Sequence, residues 1–416
     1  MNKKNAILYF LITYGVCCFL ALNRHSNASP GTYHSEIWAD KAGYNVYLPA
    51  LFIYDYDAFK FPEGTEKHIG YGFTLDSVSH KVITKYPYGV ALMQSPFWLV
   101  AHFISPQKDG FSLYYQKAID FAGSFYLSLG LFFLFLTINR YRNTPISIML
   151  SVLIVLSTGV FYYGIYETGM SHIYSFCCIS IILFLGLNPQ KTKNHILLTI
   201  LIASLYFIIR PLNIVFLLPI ILLIFMNGKL TLGKDVFKFY SVKLFLISIL
   251  IISLLILPQL LYYQYAYGNF VANSYQKEPF FFPSLSRITE LLCSPNNGLF
   301  IYYPILLIVL LHTVFIKSNY NKLSFLLITT YILIYASWWS LSLGCSFGHR
   351  AINDIAILFF IPFIISKKQL SKFLIISLII CSLINLKFIF SYDTCLHNSM
   401  NWDFAEYKAI LFGEFK

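Results

Sequence analysis

The stretch 195–226 reads HILLTILIASLYFIIRPLNIVFLLPIILLIFM and holds Arg210 near its middle. As one helix it would be about 48 Å long at 1.5 Å per residue. The hydrocarbon core of a bilayer is only about 30 Å thick. We therefore predict two membrane-spanning helices that meet at Arg210-Pro211.

The whole chain shares this apolar character. Of its 416 residues, 57% are hydrophobic and 12% are charged, whereas a globular chain carries about 25% charged residues. A mean hydropathy of +0.65 over the full length excludes a soluble enzyme with one membrane anchor. At roughly 20 residues per span, the length allows about 10 to 12 helices. The fold class is therefore an all-α polytopic membrane protein.

Basic residues recur on alternate connections between the apolar runs. The runs cover about 6–22, 86–104, 118–138, 145–163, 171–187, 195–226, 242–262, 298–316, 323–340, 352–366 and 372–391. The basic connections hold Arg140 and Arg142; Lys191 and Lys193; Lys229, Lys234, Lys238 and Lys243; Lys317 and Lys322; and Lys367, Lys368 and Lys372. Basic loops stay in the cytoplasm, so the net charge of +12 reflects topology, and a nucleic-acid partner is disfavoured.

The first apolar run is expected to be an uncleaved span with a cytoplasmic N-terminus, because Lys3 and Lys4 precede it and no cleavage pattern follows. The segment 86–104 then cannot cross an odd number of times. We interpret it as an interfacial or re-entrant helix on the outer face, with Pro96 in its middle. The prediction is one transmembrane domain, 1–416, with about 11 spans. A first outer loop covers 24–117, a lid-like outer loop covers 263–297, and a short tail, 392–416, also lies outside.

Asp40 begins an amphipathic pattern in the first outer loop. The apolar positions that follow at helical spacing are Tyr44, Tyr47, Leu48 and Leu51. Such a helix is expected to lie on the bilayer surface, bent by Pro49. A carboxylate held there can accept a proton from an incoming hydroxyl. The alternative is a solvated loop acid or a charge at a helix N-terminus.

Asp55-Tyr56-Asp57 forms a DxD pattern nearby. In soluble glycosyltransferases this pattern helps to bind a metal and a nucleotide sugar, but those enzymes need a Rossmann-like domain. The chain has no room for one, so we interpret Asp55 and Asp57 as solvated acids.

Three further polar residues fall at predicted outer helix ends. Glu167 and His172 lie in a short connection between two spans, and a polar loop is the alternative to a binding role. Arg210 is expected below the outer surface, where a cation costs about 2.5–3.5 kcal/mol and needs a partner. A phosphate suits a guanidinium. Pairing with Glu167 or with a backbone carbonyl is the alternative.

A late outer cluster reads Gly344-Cys345-Ser346-Phe347-Gly348-His349-Arg350. Its glycines would let the backbone approach a ligand, and His349 and Arg350 supply hydrogen-bond donors. The preceding Trp338-Trp339 pair fits an interfacial belt.

The eight cysteines show no CxxC spacing and no Cys/His cluster, so the pattern of a zinc site is absent. Cys293, Cys345 and Cys395 fall on the outer side and allow one disulfide with one free thiol. Their spacing leaves the pairing open.

In this order, these residues resemble the GT-C superfamily of integral-membrane glycosyltransferases. The chain is similar to the branch that contains lipid A aminoarabinose transferases and protein O-mannosyltransferases. The acidic motif that opens a juxtamembrane helix in the family matches Asp40, and its second juxtamembrane helix matches 86–104. The second outer acidic or polar site matches 167–172, and the two outer basic residues match Arg210 and Arg350. The chain departs from the family in having Lys41 after Asp40, His172 at the aligned second acid, and no sizeable C-terminal soluble domain.

The resemblance implies inverting transfer of one sugar from a polyprenyl-phosphate donor to a glycolipid, glycan or protein acceptor. It is expected at the outer face of the plasma (inner) membrane. Asp40 would be the base, and Arg210, Arg350 and His349 would bind the donor phosphate. The sugar or acceptor would contact three residues: Glu167, His172 and Tyr44. No cofactor is required, no metal-binding residue is assigned, and a divalent metal is optional.

Two other functions stay open at this level. A polymerase or ligase would move a whole lipid-linked oligosaccharide, also with outer arginines. A lipid or sugar transporter would use Arg210 in a translocation path and would have charges spread over both faces. The cytoplasmic loops carry almost no acids, which favours an enzyme whose site faces outward.

Overall fold

A computed structural model describes residues 3–188, 192–227, 241–275, 278–316, 318–344, 346–365, 370–391 and 404–413. Within these residues the protein is nearly all-α. One two-stranded antiparallel sheet joins β1, Thr74–Asp76, to β2, Lys81–Ile83. The all-α fold class is therefore confirmed.

The described helices include one or more overlapping each predicted apolar run, and five further helices, over 40–45, 47–52, 65–68, 285–293 and 404–412, lie outside the runs. In the first half they are α1 Lys3–Arg24, α2 Asp40–Asn45, α3 Tyr47–Phe52, α4 Thr65–His68, α5 Gly89–Ile104, α6 Leu113–Ile138, α7 Thr144–Leu156, α8 Val160–Ile165, α9 Ser171–Gly186 and α10 Lys193–Ile209. In the second half they are α11 Ile214–Asn227, α12 Val242–Tyr267, α13 Leu285–Cys293, α14 Leu299–Tyr302, α15 Pro304–Phe315, α16 Asn319–Ser337, α17 Ala356–Phe359, α18 Ile361–Ile365, α19 Lys372–Ser391 and α20 Phe404–Phe412. Short 3₁₀ turns cover Ala58–Lys60, Pro211–Asn213 and Arg350–Asp354.

Four of the described helices, α1, α6, α12 and α19, are long and apolar enough to cross a membrane. Their outward faces carry exposed apolar side chains; for example, Phe19 is 69% exposed and Leu254 is 63% exposed. A water-facing helix would carry polar groups there, whereas lipid accepts these side chains. The described residues thus have the character of a helical membrane protein.

The predicted break at Arg210 is confirmed. Helix α10 ends at Ile209, and Arg210 has an extended backbone, with φ −149° and ψ 108°. The proline that follows explains both features, because its ring disfavours helical geometry in the residue before it. Asn213 anchors the turn by donating to Ser175 Oγ on α9 at 3.1 Å.

Helix α5, Gly89–Ile104, forms most of the segment 86–104, which was predicted to be a helix on the outer face. Its first residue, Gly89, lies against the backbone that precedes Arg210, since an added Cβ would stand 2.6 Å from the Ile208 carbonyl. The Trp98 side chain of this helix is fully buried, while Phe103 and Ile104 at the end of the helix are exposed. Whether this helix is interfacial or re-entrant stays a prediction.

The stripe after Asp40 packs differently from the surface helix expected. It forms two short helices, α2 and α3, and Tyr44, Tyr47 and Leu48 are buried in protein; only Leu51 is exposed. The reason is that α5 and the tyrosines of α12 cover this face; Tyr47, for example, stacks edge-on against Tyr262 with ring centroids 4.7 Å apart. The expectation that the stripe faces lipid is therefore wrong for three of its four residues.

The described chain divides into two compact units. The first comprises Met1–Gly130 and Tyr163–Tyr275, and the second comprises Leu131–Tyr162 and Gln276–Lys416. The single-domain interpretation stays a prediction.

Several of the basic loop residues that set the predicted topology lie outside the described residues: Lys191, Lys229, Lys234, Lys238, Lys317, Lys367 and Lys368. Residues 276–277 of the lid-like loop and most of the predicted tail, 392–403 and 414–416, also lie outside them.

Candidate functional site

Asp40 is the first residue of α2 and is half-buried. Its Oδ1 accepts a hydrogen bond from the Tyr86 hydroxyl at 2.5 Å. Burial raises the pKa of Tyr86 well above its usual range, so this hydroxyl keeps its proton and acts as a donor. Tyr44, one helical turn after Asp40, lies with its ring 4.4 Å from the Tyr86 ring. Asp40 thus has a fixed orientation beside an aromatic wall.

Close backbone packing holds Asp40 in this position. Ala39 has φ +46°, a left-handed value that costs a non-glycine residue about 1 kcal/mol or more. Its carbonyl lies so near Gly72 that an added Cβ there would stand 2.0 Å away. Gly43 in turn faces the Gly72 carbonyl, 2.3 Å from where its own Cβ would be. Neither glycine tolerates a side chain without moving the start of α2.

Tyrosines of α12 hold the strand that leads to Tyr86. The Thr84 amide donates to the Tyr262 hydroxyl at 2.7 Å, and the Tyr267 hydroxyl donates to the Thr84 carbonyl at 3.1 Å. Lys85 Nζ lies 5.4 Å from the centre of the Tyr86 ring, within cation–π range. The partner of Asp40 is therefore tied to α12, one of the helices long and apolar enough to cross a membrane.

Glu167 forms an ion pair with Lys41, at 2.8 Å between Oε2 and Nζ. Both side chains are largely buried, with 14% and 4% exposure. The pair joins the residue after Asp40 to the 166–172 connection. Gly169 permits this approach, because an added Cβ would stand 2.6 Å from the Glu36 carbonyl.

His172 and Arg210 meet in the same unit. The distance from Arg210 Nη1 to His172 Nδ1 is 3.4 Å. His172 is buried and packs edge-on against Tyr163, while Arg210 is half-buried. The guanidinium therefore has a neighbour that the sequence interpretation did not name.

The first unit thus contains five of the predicted site residues: Asp40, Tyr44, Glu167, His172 and Arg210. Two observed contacts involve them: Lys41, next to Asp40, pairs with Glu167, and Arg210 Nη1 lies 3.4 Å from His172 Nδ1. The 86–89 segment connects them by a second route, because Tyr86 binds Asp40 and Gly89 abuts the backbone before Arg210.

His349 and Arg350 belong to the second unit. His349 is fully buried, and its Nδ1 shares a hydrogen bond with the Tyr331 hydroxyl. Arg350 begins the 3₁₀ turn Arg350–Asp354, and its carbonyl accepts from Asn353 Nδ2 at 2.9 Å. Their part in phosphate binding stays a prediction. Of the three cysteines predicted on the outer side, Cys293 is exposed and forms no disulfide within the described residues, and Cys345 and Cys395 lie outside them.

Of the two DxD acids, Asp55 is exposed and Asp57 is partly exposed. Asp55, at 73% exposure, pairs with Lys60 at 2.6 Å. Asp57 caps the following 3₁₀ turn by accepting from the Phe59 amide at 3.0 Å. Both carboxylates therefore have local structural partners, which agrees with the interpretation of solvated acids.

A buried polar cluster beside the site escaped sequence analysis. Lys117 Nζ on α6 donates to Glu36 Oε1 at 2.6 Å, and the His25 and Asp120 side chains lie 2.8 Å apart. Asp120 also accepts from the Thr168 hydroxyl at 3.0 Å. The only local signal was Lys117 and Asp120, three residues apart on one face of an apolar helix.

Burial changes the acid–base behaviour of this cluster. It raises the pKa of the Glu36 carboxyl to about 7, assisted by the negative charge of Asp120. It lowers the pKa of the His25 imidazole to about 4. Nε2 of His25 lies 3.2 Å from the Tyr166 carbonyl, so this nitrogen donates and carries the ring proton. At neutral pH, His25 is therefore uncharged.

Replacing His25 by Gln is expected to make stability fall more steeply as pH rises from about 4.5 to about 7. Glu36 binds its proton more tightly when folded, so its stabilising contribution is full below pH 4.5 and is lost as pH rises through about 7. His25 acts in the opposite sense: stability is lost as pH falls from 6.5 toward about 4. Thermal unfolding in detergent across this range measures the difference. The matched control is His80→Gln, at an exposed histidine. Parallel profiles for His25→Gln and the native protein would contradict the expectation.

His25, Glu36 and Asp120 are also residue types that bind metal ions, and their ligand atoms lie within 4.8 Å of one another. The Lys117 ammonium lies among them, so the cluster already contains a cation.

Comparisons of the chain with protein-family models, with curated proteins and with solved structures give no match. The class of protein that the described fold defines is a helical membrane protein.

Proposed function

We propose that the chain is an integral-membrane glycosyltransferase of the GT-C type. It transfers one sugar from a polyprenyl-phosphate donor to a glycolipid, glycan or protein acceptor of the cell envelope. In this proposal the chain has about 11 spans in the plasma (inner) membrane, with a cytoplasmic N-terminus and with the site and the C-terminus on the outer face. No cofactor is needed, and a divalent metal is optional.

The observation that carries the proposal is the setting of Asp40. Its carboxylate is half-buried, oriented by Tyr86, and shares a compact unit with the Arg210 guanidinium. A base needs a fixed position near the proton that it removes. A leaving phosphate needs a cation that is already in place. Both groups belong to segments next to apolar helices, as a lipid-linked donor requires.

The reaction is a single displacement. Asp40 takes the proton of the acceptor hydroxyl, whose oxygen bonds to the anomeric carbon of the sugar. The bond from that carbon to the carrier phosphate breaks, and the electron pair leaves with polyprenyl phosphate. Arg210 stabilises the phosphate. Attack opposite the leaving group inverts the anomeric centre.

Native mass spectrometry of the protein in mild detergent tests the proposal through the lipid that co-purifies. We expect a bound polyprenyl phosphate, either bare or carrying one sugar, because the site binds both donor and product. A carrier with a long glycan would favour a polymerase or ligase instead. Bulk phospholipid alone, in repeated preparations, would contradict the proposal and favour a transporter.

A further inference from the structure

We infer that the Lys117 ammonium is a built-in cation that takes the place of a metal ion between His25, Glu36 and Asp120. In this role it ties the end of α1 and the segment before Asp40 to α6. The inference concerns the chain's own architecture and does not depend on the proposed transfer reaction.

The contacts of Lys117 use the full donor capacity of an ammonium group. Its Nζ donates to the His25 carbonyl at 3.0 Å and to Glu36 Oε1 at 2.6 Å, and lies 3.5 Å from Asp120 Oδ2. An ammonium has three N–H donors, so each has an acceptor. The acceptors come from three chain segments, which the lysine therefore connects.

Neighbouring contacts extend this connection to the 166–172 segment. Asp120 accepts from the Thr168 hydroxyl, and His25 Nε2 lies 3.2 Å from the Tyr166 carbonyl. Gln116, next to Lys117, accepts from the Ile37 amide at 2.7 Å. One turn of α6 thus holds both segments that carry the predicted site residues Asp40 and Glu167.

Charge balance explains why a cation is needed. Glu36 and Asp120 are 1% and 0% exposed, and two ionised carboxylates so close would repel strongly in a low-dielectric site. The ammonium, 2.6 Å from Glu36 Oε1 and 3.5 Å from Asp120 Oδ2, supplies positive charge between the two carboxylates through a covalent tether.

The test compares native protein with Lys117→Ala in detergent, with Mn²⁺ as the probe. We expect the native protein to bind no Mn²⁺ at this cluster by electron paramagnetic resonance. Lys117→Ala should melt at least about 5 °C lower, since an uncompensated buried charge destabilises the fold. It should also bind one equivalent of Mn²⁺ and regain part of the lost melting temperature on binding. Lys117→Ala/Asp120→Asn lacks one metal ligand and should lose that recovery.

In the Mn²⁺ measurements, either of two results would overturn the inference. One is Mn²⁺ binding to the native protein that Asp120→Asn abolishes, because the tethered ammonium would then not exclude a metal. The other is a folded Lys117→Ala protein that binds no Mn²⁺. If Lys117→Ala does not fold, Lys117→Met/Glu36→Gln removes the ammonium and one carboxylate together and should melt close to the native protein. Failure of this paired variant to fold, with Glu36→Gln alone folded, would also overturn it.

Discussion

Replacing Asp40 by Asn is expected to lower sugar transfer by about 10²–10⁴-fold, the range for loss of a general base. The amide keeps the size of the carboxylate and can still accept from Tyr86, but it cannot take a proton from the acceptor. Membranes that contain each variant would be assayed for the one-sugar mass increment on envelope glycans. Bound polyprenyl phosphate should persist in Asp40→Asn, because the donor is expected to be held elsewhere.

The matched control is Asp55→Asn. Asp55 lies in the same segment, 24–117, but it is exposed and pairs with the exposed Lys60. Its replacement should leave transfer unchanged and cost little stability, as is usual for surface ion pairs. Native transfer by a folded Asp40→Asn would remove Asp40 from the base role. Loss of transfer in Asp55→Asn alone would revive the DxD interpretation.

Replacing Arg210 by Gln is expected to lower transfer by about 10²–10³-fold, which is typical for one donor to a developing oxyanion. It should also reduce the polyprenyl phosphate seen by native mass spectrometry, since the guanidinium is proposed to bind the phosphate in both donor and product. Arg210→Lys should retain only part of the native transfer activity and of the bound polyprenyl phosphate, because a lysine cannot bind a phosphate in a bidentate fork.

A control variant separates phosphate binding from a purely structural role of Arg210. Arg142→Gln removes a different half-buried arginine, one that donates to the Phe363 carbonyl at 2.7 Å, and it should retain bound lipid. If lipid retention were native in Arg210→Gln, or if Arg142→Gln lost lipid equally, the phosphate role would be wrong.

Local patterns determined the helices of this protein. The run 195–226 is too long for one span, and Pro211 removes an amide donor, so a break at Arg210 follows from covalent chemistry alone. The long apolar runs near 6–22, 118–138, 242–262 and 372–391 likewise predicted the helices α1, α6, α12 and α19. Asp40 at the start of a helix was likewise visible in the sequence, because it precedes a stripe with helical spacing.

Only the tertiary structure decided how these elements pair their polar groups. The bond from Tyr86 to Asp40 joins residues 46 positions apart, and Lys117 reaches Glu36 across 81 positions. Glu167 pairs with Lys41, not with Arg210, because Gly169 lets its loop settle against the Glu36 backbone. Such contacts depend on how closely two backbones approach. The spacing of residues along one segment carries no information about that distance, so the buried cluster around Lys117 could not be found without the fold.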